Sequence, residues 1–418
     1  MAFNNNRLLV RCCYLGMFVQ AMVINLTPLL LIPLKNQFGL SYEQMGRLVL
    51  INFLTQMVVD LICCAVADRM NVKRLVVIGN FLSGIGLWVF ALAPAHFAAP
   101  YNGLVLGTIV FSVGCGLLEV LLSPIINAIP SESGRKASDM ALLHAFYPIG
   151  KVAVIIVTAL ALNALGATKW RPIVLAWSLI PFLNTVGFLL AQPPRLAEEN
   201  NRQSLRNLLR QPTLLTLLIV IGLAGATELT IAQWASTFLE KGLGLSKLVA
   251  DLVGFCLFGV GMIVGRLWMG IKGETVDLHR VMVGSAALSA AMCLVMALSP
   301  WAWISLTACA LSGVFVSMLW PGSLSLSAAR FPFAGTTLFA LMAAGGDGGA
   351  ALMPWGVGIV ADSAGRFPWL QSLFGSLLSP EQIGLRTGLL ATAICPLVMT
   401  VLLALHGSFA PPSQAKES

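Results

Sequence analysis

The sequence contains few charged residues. Asp, Glu, Lys and Arg make up 10% of its 418 residues, compared with about 25% in an average soluble protein. With 58% hydrophobic residues and a mean hydropathy of +0.87, the chain is built for lipid, which excludes an ordinary soluble protein. The net charge of +8 does not indicate a nucleic-acid partner, because the basic residues stand singly between apolar runs instead of forming a basic face with aromatic residues.

Motifs for metal binding, disulfide formation and catalysis are also lacking. The nine cysteines fall mostly within apolar runs and show no CxxC spacing, so we interpret them as small membrane-helix residues. The sequence has no HExxH motif and no nucleophile elbow. We therefore expect a protein that is not an enzyme and that uses neither a cofactor nor a metal site.

Alternating strand patterns are missing as well, since the apolar runs are continuous. Each run is long enough to cross about 30 Å of hydrocarbon as a helix, so we predict an all-α polytopic membrane protein with twelve transmembrane helices. The predicted spans are 12–34, 47–67, 75–95, 103–129, 140–165, 172–192, 213–239, 250–271, 281–299, 302–329, 336–361 and 385–405.

The longest polar segment between spans, Gln192–Gln211, divides the chain into two sets of six helices. We predict six-helix bundles at 1–192 and 213–408, a cytoplasmic linker at 193–212 and a cytoplasmic tail at 409–418. The halves also resemble each other, since Gly39-Leu-Ser41 recurs as Gly244-Leu-Ser246 and Gly150-Lys151 recurs as Gly346-Asp347. A parallel duplication of this kind favours a site between pseudo-symmetric halves, near the middle of the membrane.

The distribution of basic residues predicts the orientation in the membrane. With the N-terminus inside, Lys and Arg are about twice as frequent in the inner segments as in the outer ones. We therefore expect a multi-pass protein of the plasma membrane, the bacterial inner membrane, with both termini in the cytoplasm.

Several ionisable residues lie inside the apolar runs. Glu119 and Lys151 both lie roughly 15–18 Å from the same membrane face, at about 1.5 Å per helical residue. A charge at that depth costs about 2.5–3.5 kcal/mol or more, so it is rare unless it is paired or functional. Glu119 and Lys151 form either a substrate or proton site or a static ion pair. Glu228 and Asp347 are further candidates, and Asp60 belongs either to the same site or to an inner gate.

Polar and aromatic residues inside the spans suit a hydroxylated solute. Aromatic rings can cover the C–H face of such a solute while amides and hydroxyls bind its oxygen atoms. The candidate site residues of this kind are Gln20, Asn25, Tyr147, Gln233, Trp234 and Trp320.

The segment from Cys64 to Arg74 resembles the loop between helices two and three of the major facilitator superfamily, in which Asp-Arg is followed by a basic pair. Gly265-Arg266 is the counterpart in the second half. The resemblance implies two six-helix bundles that rock by alternating access. The implied gating-loop residues are Asp68, Arg69, Lys73, Arg74 and Arg266.

Within that superfamily, the chain is most similar to fucose/glucose permease-type sugar:cation symporters. The motifs are Gly116-Leu-Leu-Glu119 through Ser123-Pro124 and Leu143-His144 through Gly150. The resemblance implies that Glu119 is the carboxylate linked to the proton and the sugar. Two differences from that branch are Ser123 in place of an asparagine and Lys151, which has no counterpart there.

The sequence thus predicts a secondary transporter that moves a small polar solute, such as a sugar, by proton-coupled symport. The expected partners are this solute, a coupling cation (H⁺ before Na⁺) and the lipid bilayer, without nucleic acid, and the expected state is a monomer. One alternative is an exporter or an organic-anion carrier that uses Lys151 as the counter-ion of its substrate. Another is a membrane receptor or scaffold that transports nothing.

Overall fold

The computed structural model describes residues 2–66, 71–129, 136–192, 208–272, 276–331, 335–374 and 378–405. Twelve long helical elements account for most of these residues. They are α1 (Ala2–Phe38), α2 (Tyr42–Val66), α3 (Val72–Leu92), α4 (Pro100–Ala128), α5 (Lys136–Leu165), α6 (Trp170–Leu190), α7 (Pro212–Thr237), α8 (Lys247–Val249, Ala250–Cys256 and Leu257–Lys272), α9 (Leu278–Leu298), α10 (Ala302–Val316 and Leu319–Arg330), α11 (Gly335–Ser363) and α12 (Pro380–Thr392 and Ile394–Leu405).

These helices confirm the predicted fold class. In the described part of the chain, eleven elements are long and apolar enough to cross a membrane. The remaining one, α11, has 29 residues, but its glycines and Asp347 make it less apolar. Leucines such as Leu183 and Leu190 are exposed on the outer surface, as expected for side chains that face lipid. The helices form two six-helix bundles, α1–α6 and α7–α12, which we call the first and second halves. The predicted linker at 193–212 lies mostly outside the described residues.

Two matching turns define one face of the molecule. Gly39 follows α1, and Gly244 follows the π-helical segment Phe238–Gly242 that continues α7. Their φ angles are 65° and 73°, which glycine adopts without a steric penalty. The serines two residues later cap the next helices: Ser41 accepts from the Gln44 backbone at 3.0 Å, and Ser246 accepts from the Val249 backbone at 3.4 Å. This part of the predicted repeat is confirmed. We call this side the Gly39 face.

The opposite side, which we call the Asn71 face, carries two other helix starts. Asn71 caps α3, and Asp277 caps α9 by accepting from the backbone amides of His279 and Arg280. Each helix therefore runs between the Gly39 face and the Asn71 face, which fixes the depth of every side chain within the bundle.

The two halves meet chiefly where α2 packs against α11. The helices are antiparallel, so Tyr42 lies beside Asp362 at the Gly39 face, whereas a Cβ added at Gly348 would lie 3.7 Å from Met57 Sδ, deeper in the molecule. Helix α1 also contacts α7, and α5 contacts α8. A small apolar cluster that includes Ile24 and Leu229 lies between the halves.

Hydrogen bonds between the two halves close the molecule at the Gly39 face. The Asp362 carboxylate accepts from the backbone N–H groups of Tyr42 at 3.1 Å and Glu43 at 2.7 Å, so it caps α2 from the other half. The Tyr42 hydroxyl donates to Glu381 at 2.6 Å, and Trp355 Nε1 donates to Glu43 at 2.8 Å. We call these five residues the Gly39 gate.

We predict that the Asp362→Ala variant opens the Gly39 gate. Loss of a helix cap costs about 0.5–2 kcal/mol, which corresponds to a shift of about 2- to 30-fold in the ratio of open to closed molecules. Double electron–electron resonance between spin labels at Asn36→Cys and Arg366→Cys, in a background without native cysteines, measures that ratio because the two exposed positions lie in different halves.

The matched control is Asp277→Ala, which removes the cap of α9 within the second half. This control should leave the distance distribution unchanged. Equal populations in the Asp362→Ala variant and the parent protein would contradict the role assigned to Asp362.

Candidate transport site

Three carboxylates from both halves meet deep inside the molecule. Asp60 on α2, Glu119 on α4 and Asp347 on α11 each have a carboxylate oxygen within 4.8 Å of the others. Asp60 is 0% exposed and Asp347 is 3% exposed, whereas Glu119 is half-buried. Glu119 and Asp347 lie roughly 14–18 Å along their helices from the Asn71 face. We call these three residues the carboxylate cluster.

One neighbouring side chain donates to this cluster. Gln20 Nε2 on α1 donates to Glu119 Oε2 at 2.8 Å, so two helices of the first half hold Glu119 in place. Both carboxylate oxygens of Asp60 and one of Asp347 are buried and have no hydrogen-bond partner. The buried negative charge is therefore only partly compensated by the protein, and such a charge is costly unless a proton or cation neutralises it.

The basic residues near the middle of the bundle are engaged elsewhere. Arg266 on α8 pairs with Glu228 on α7 at 3.8 Å, which keeps this ion pair within the second half. Lys151 on α5 is 2% exposed, and its ammonium group lies 4.5 Å from the Phe258 ring centroid and 5.5 Å from that of Phe255. Among the described residues, no ion pair joins Lys151 to Glu119.

Lys151 thus reaches across to the second half instead of to α4. Its Nζ atom also lies 3.6 Å from Met262 Sδ on α8. A cation over desolvated aromatic faces gains about 2 kcal/mol or more, which offsets part of the cost of burying the ammonium group. The two residues predicted at matching depth therefore occupy two separate environments.

Of the other predicted site residues, Trp320 packs beside the carboxylate cluster, and Asn25 and Tyr147 lie on α1 and α5. Trp320 is half-buried and packs where a Cβ at Gly346 would lie, one residue before Asp347. Asn25 donates to the Ala21 carbonyl at 2.8 Å. Tyr147 itself is half-buried. These groups combine an aromatic surface with polar atoms between the two halves.

Two predicted residues lie nearer the Gly39 face. Trp234 is fully buried, donates from Nε1 to the Pro354 carbonyl at 2.9 Å, and has its ring 5.9 Å from that of Tyr42. It therefore supports the Gly39 gate. Gln233 is 1% exposed and its amide nitrogen has no hydrogen-bond partner.

Three of the five predicted gating-loop residues are among the described residues, and they lie in two different places. Asp68 and Arg69 lie outside the described residues. Lys73 and Arg74 belong to the first turn of α3 at the Asn71 face, where the Arg74 backbone N–H donates to Asn71. Arg266 instead lies in the ion pair with Glu228.

The sequence interpretation missed the Gly39 gate and the partners of Glu119. Nothing in the local sequence of Asp362 indicates that it caps a helix more than three hundred residues away. Asp60 carried a usable signal, because an ionisable residue deep in an apolar run is a functional candidate by default. Its closeness in sequence to Asp68 made an inner gate an equal alternative.

A separate pocket of about 240 Å³ opens at the Gly39 face. It lies between α1, α5 and the start of α8, and its polar lining residues are Asn36, Asn163, Glu240 and Lys247. It contains no member of the carboxylate cluster, so we do not assign it to the central site.

Solved structures with the same fold include several transporters. A bacterial homologue of the human lysosomal transporter Spinster, in an inward-facing and unoccupied conformation, is 15% identical, with 96% of each chain covered and a TM-score of 0.74. The D-xylose–proton symporter is 16% identical, with 98% of this chain and 99% of that chain covered and a TM-score of 0.72. The Escherichia coli fucose:proton symporter FucP is 17% identical, with 95% and 98% covered and a TM-score of 0.66.

The family model described as Major Facilitator Superfamily matches residues 13–277, which is more than half of the chain. The match to the family model therefore confirms the predicted resemblance. The twelve helices in two halves, with buried charges at the contact between them, agree with this family. This chain belongs to the major facilitator superfamily of membrane transporters.

Proposed function

We propose that this protein is a secondary active transporter that moves a small polar solute in symport with a cation, by alternating access. The observation that carries the proposal is the carboxylate cluster. Its ligand-competent oxygens come from both halves and lie within 4.8 Å of one another in a buried environment. Because unneutralised charge is costly there, a cation that enters and leaves the cluster changes how strongly the halves attract or repel each other.

Alternating access is supported by the asymmetry between the two faces. The Gly39 gate joins the halves through hydrogen bonds, whereas Glu119, Tyr147 and Trp320 keep part of their surface exposed although they lie deep within their helices. If the basic residues orient the chain as the sequence predicts, with both termini in the cytoplasm of a bacterial cell, the Gly39 face is external. The protein is then closed to the outside and open to the inside.

A sugar or a related hydroxylated compound is the proposed substrate class. Trp320 offers an apolar ring beside the cluster, Gln20 donates to Glu119, and Asn25 and Tyr147 offer further hydrogen-bonding groups on α1 and α5. This combination fits a solute with both C–H faces and hydroxyls. Transporters named for fucose, xylose and nucleosides share the fold, which supports the same class of solute.

The proton is the proposed coupling cation, and Glu119 is its proposed carrier. Glu119 is the member of the cluster that keeps some exposure, and Gln20 holds its carboxylate by one hydrogen bond. Proton loss leaves Glu119 negatively charged beside Asp60 and Asp347, which disfavours the arrangement in which the halves are closed around them.

We predict that Glu119→Gln abolishes accumulation of solute and preserves exchange. Proteoliposomes that contain the parent protein should accumulate a sugar or nucleoside against its gradient when an inward pH gradient is imposed. The variant should lose at least about tenfold of this accumulation, because its neutral amide carries no proton, yet it should still exchange labelled for unlabelled solute. Scintillation counting of fucose, xylose and uridine measures both activities.

Asp277→Asn is the control, because this exposed helix cap lies outside the site. Undiminished accumulation by the Glu119→Gln variant would refute Glu119 as the carrier. Absence of flux for sugars, nucleosides, amines and carboxylates under every imposed gradient would favour the receptor or scaffold alternative.

Lys151 supports a second candidate, an organic-anion carrier. Its ammonium group is buried against two aromatic rings, and among the described residues no carboxylate oxygen lies within 4.0 Å of it. A substrate carboxylate could therefore serve as its counter-ion.

If Lys151 binds a substrate anion, Lys151→Met should reduce uptake of carboxylate solutes by about tenfold or more while uptake of neutral sugars is retained. Lys169→Met, which changes an exposed lysine at the Gly39 face, should alter neither. If Lys151→Met instead leaves all carboxylate uptake unchanged, the anion-carrier alternative fails.

A further inference from the structure

The spacing of the carboxylate cluster is itself informative. The oxygens of Asp60, Glu119 and Asp347 lie within 4.8 Å of one another, yet neither oxygen of Asp60 has a hydrogen-bond partner. Protons shared directly between carboxyl groups would require donor–acceptor distances near 2.5–2.7 Å and would leave these atoms paired. Because these oxygens converge without bonding to one another, their separations suit a small cation bound between them.

A buried neutral oxygen lies on the same face of α2 as Asp60. Gln56 is one helical turn before Asp60 on α2, and its Oε1 atom is fully buried with no hydrogen-bond partner. Its amide nitrogen donates to Asn52 Oδ1 at 3.1 Å, and the same Asn52 atom accepts from Ser112 at 2.7 Å. These bonds fix the orientation of the Gln56 amide, so its carbonyl oxygen is the end left without a partner.

Helix α4, which lies opposite Gln56, allows α2 to approach it closely. Gly116 on α4 lies one turn before Glu119, and a Cβ there would come within 3.3 Å of the Gln56 backbone. The absence of a side chain at Gly116 lets α2 and α4 approach closely. Gln56 therefore lies beside α4 on the same face of α2 as Asp60.

Within the part of the chain that the structure describes, no cation pairs with this cluster. Arg266 pairs with Glu228, and Lys151 lies over the rings of Phe255 and Phe258. The remaining source of positive charge is a proton or a cation from solution.

We infer that the carboxylate cluster binds Na⁺, with Asp60, Glu119 and Asp347 as charged ligands and Gln56 as a neutral one. All four offer oxygen, which suits alkali and alkaline-earth cations and not the transition metals that favour nitrogen or sulfur. Mg²⁺ retains several waters and an octahedral shell, and Ca²⁺ takes six to eight oxygens, which these four side chains reach only when carboxylates bind through both of their oxygens. Na⁺ accepts fewer ligands and gives up its water more readily.

This inference rests on the proposed cation symport and specifies a second ion for it. Na⁺ and the proton become alternatives at the same carboxylates. Because the ligands belong to α2, α4 and α11, the ion joins both halves.

The test is a binding measurement that needs no transport. Radioactive ²²Na⁺ is added to the purified full-length protein in detergent at fixed pH, without solute and without a gradient. Saturable binding is expected, with competition by Li⁺ and none by choline. Asp60→Asn and Asp347→Asn should each weaken Na⁺ binding by about tenfold or more, since the affinity of oxygen sites depends on their charge. Asp277→Asn should bind Na⁺ as the parent protein does.

A second measurement, on the parent protein alone, tests the inference even when the variants fail to fold. The thermal unfolding midpoint of the parent protein should rise with Na⁺ concentration and not with choline at equal ionic strength, because a ligand that binds only the folded state stabilises it. Absence of saturable Na⁺ binding in the folded parent protein overturns the inference. Unchanged Na⁺ binding by the two variants also overturns the inference. Binding of Ca²⁺ or Mg²⁺ by a protein that does not bind Na⁺ overturns it as well.

The two proposals fail in different ways. Accumulation driven by a pH gradient together with no Na⁺ binding would overturn the sodium site and leave the proposed transport function standing. Na⁺ binding that depends on Asp60 and Asp347, together with no flux of any solute, would overturn the transport function and support the sodium site.

Discussion

The cost of ionised groups in an apolar bundle is the constraint on which the rest of this structure depends. Two buried carboxylates of the second half are matched within it: Glu228 pairs with Arg266, and Asp251 pairs with Lys247 at 2.7 Å. The carboxylates that meet at the contact between the halves are not matched in this way, and two of them keep buried oxygens without a partner. A fixed bundle would gain stability from replacing such a cluster with apolar residues. A protein whose halves must separate and rejoin can use it, because the free energy of the contact then depends on which cation is present.

The contact between α2 and α11 links this cluster to the Gly39 gate. Asp362 caps α2 at one end of the contact, and Asp60 meets Asp347 farther along the same pair of helices. Since helices move as rigid rods, a rotation of one half against the other changes both ends together. If the halves rock as proposed, neutralising the cluster and closing the gate are coupled events, and each ligand that favours one favours the other. This arrangement needs no relay of side chains between the two sites.

The sequence predicts the fold well and the site in part, for physical reasons. Hydropathy predicts the spans because every backbone group in lipid must be satisfied within a helix, and the Gly-Leu-Ser repeat predicts two turns because glycine and a capping serine have local roles. Depth along a helix also follows from the sequence, but the direction of a side chain around the bundle does not. Glu119 and Lys151 lie at similar depth, yet α5 packs on α8, so Lys151 contacts Phe258 while Glu119 meets Asp60 and Asp347. The three carboxylates are separated by 59 and 228 positions in the chain, and the packing of α2 on both α4 and α11 brings them together.

Motion between α2 and α11 is the central claim, and a reversible cross-link tests it most directly. A Cβ at position 348 would lie 3.7 Å from Met57 Sδ, so the side chains at the two positions face each other across the halves. A cysteine at position 57 is shorter than the methionine, so a short bis-methanethiosulfonate reagent, which bonds to both thiols, is used to join Met57→Cys to Gly348→Cys in a background without native cysteines. We expect this cross-link to stop solute uptake into proteoliposomes and a reductant to restore it, while either single variant treated with the same reagent keeps its uptake. Full uptake by the cross-linked protein would contradict the account, because the halves would then not need to separate along this contact.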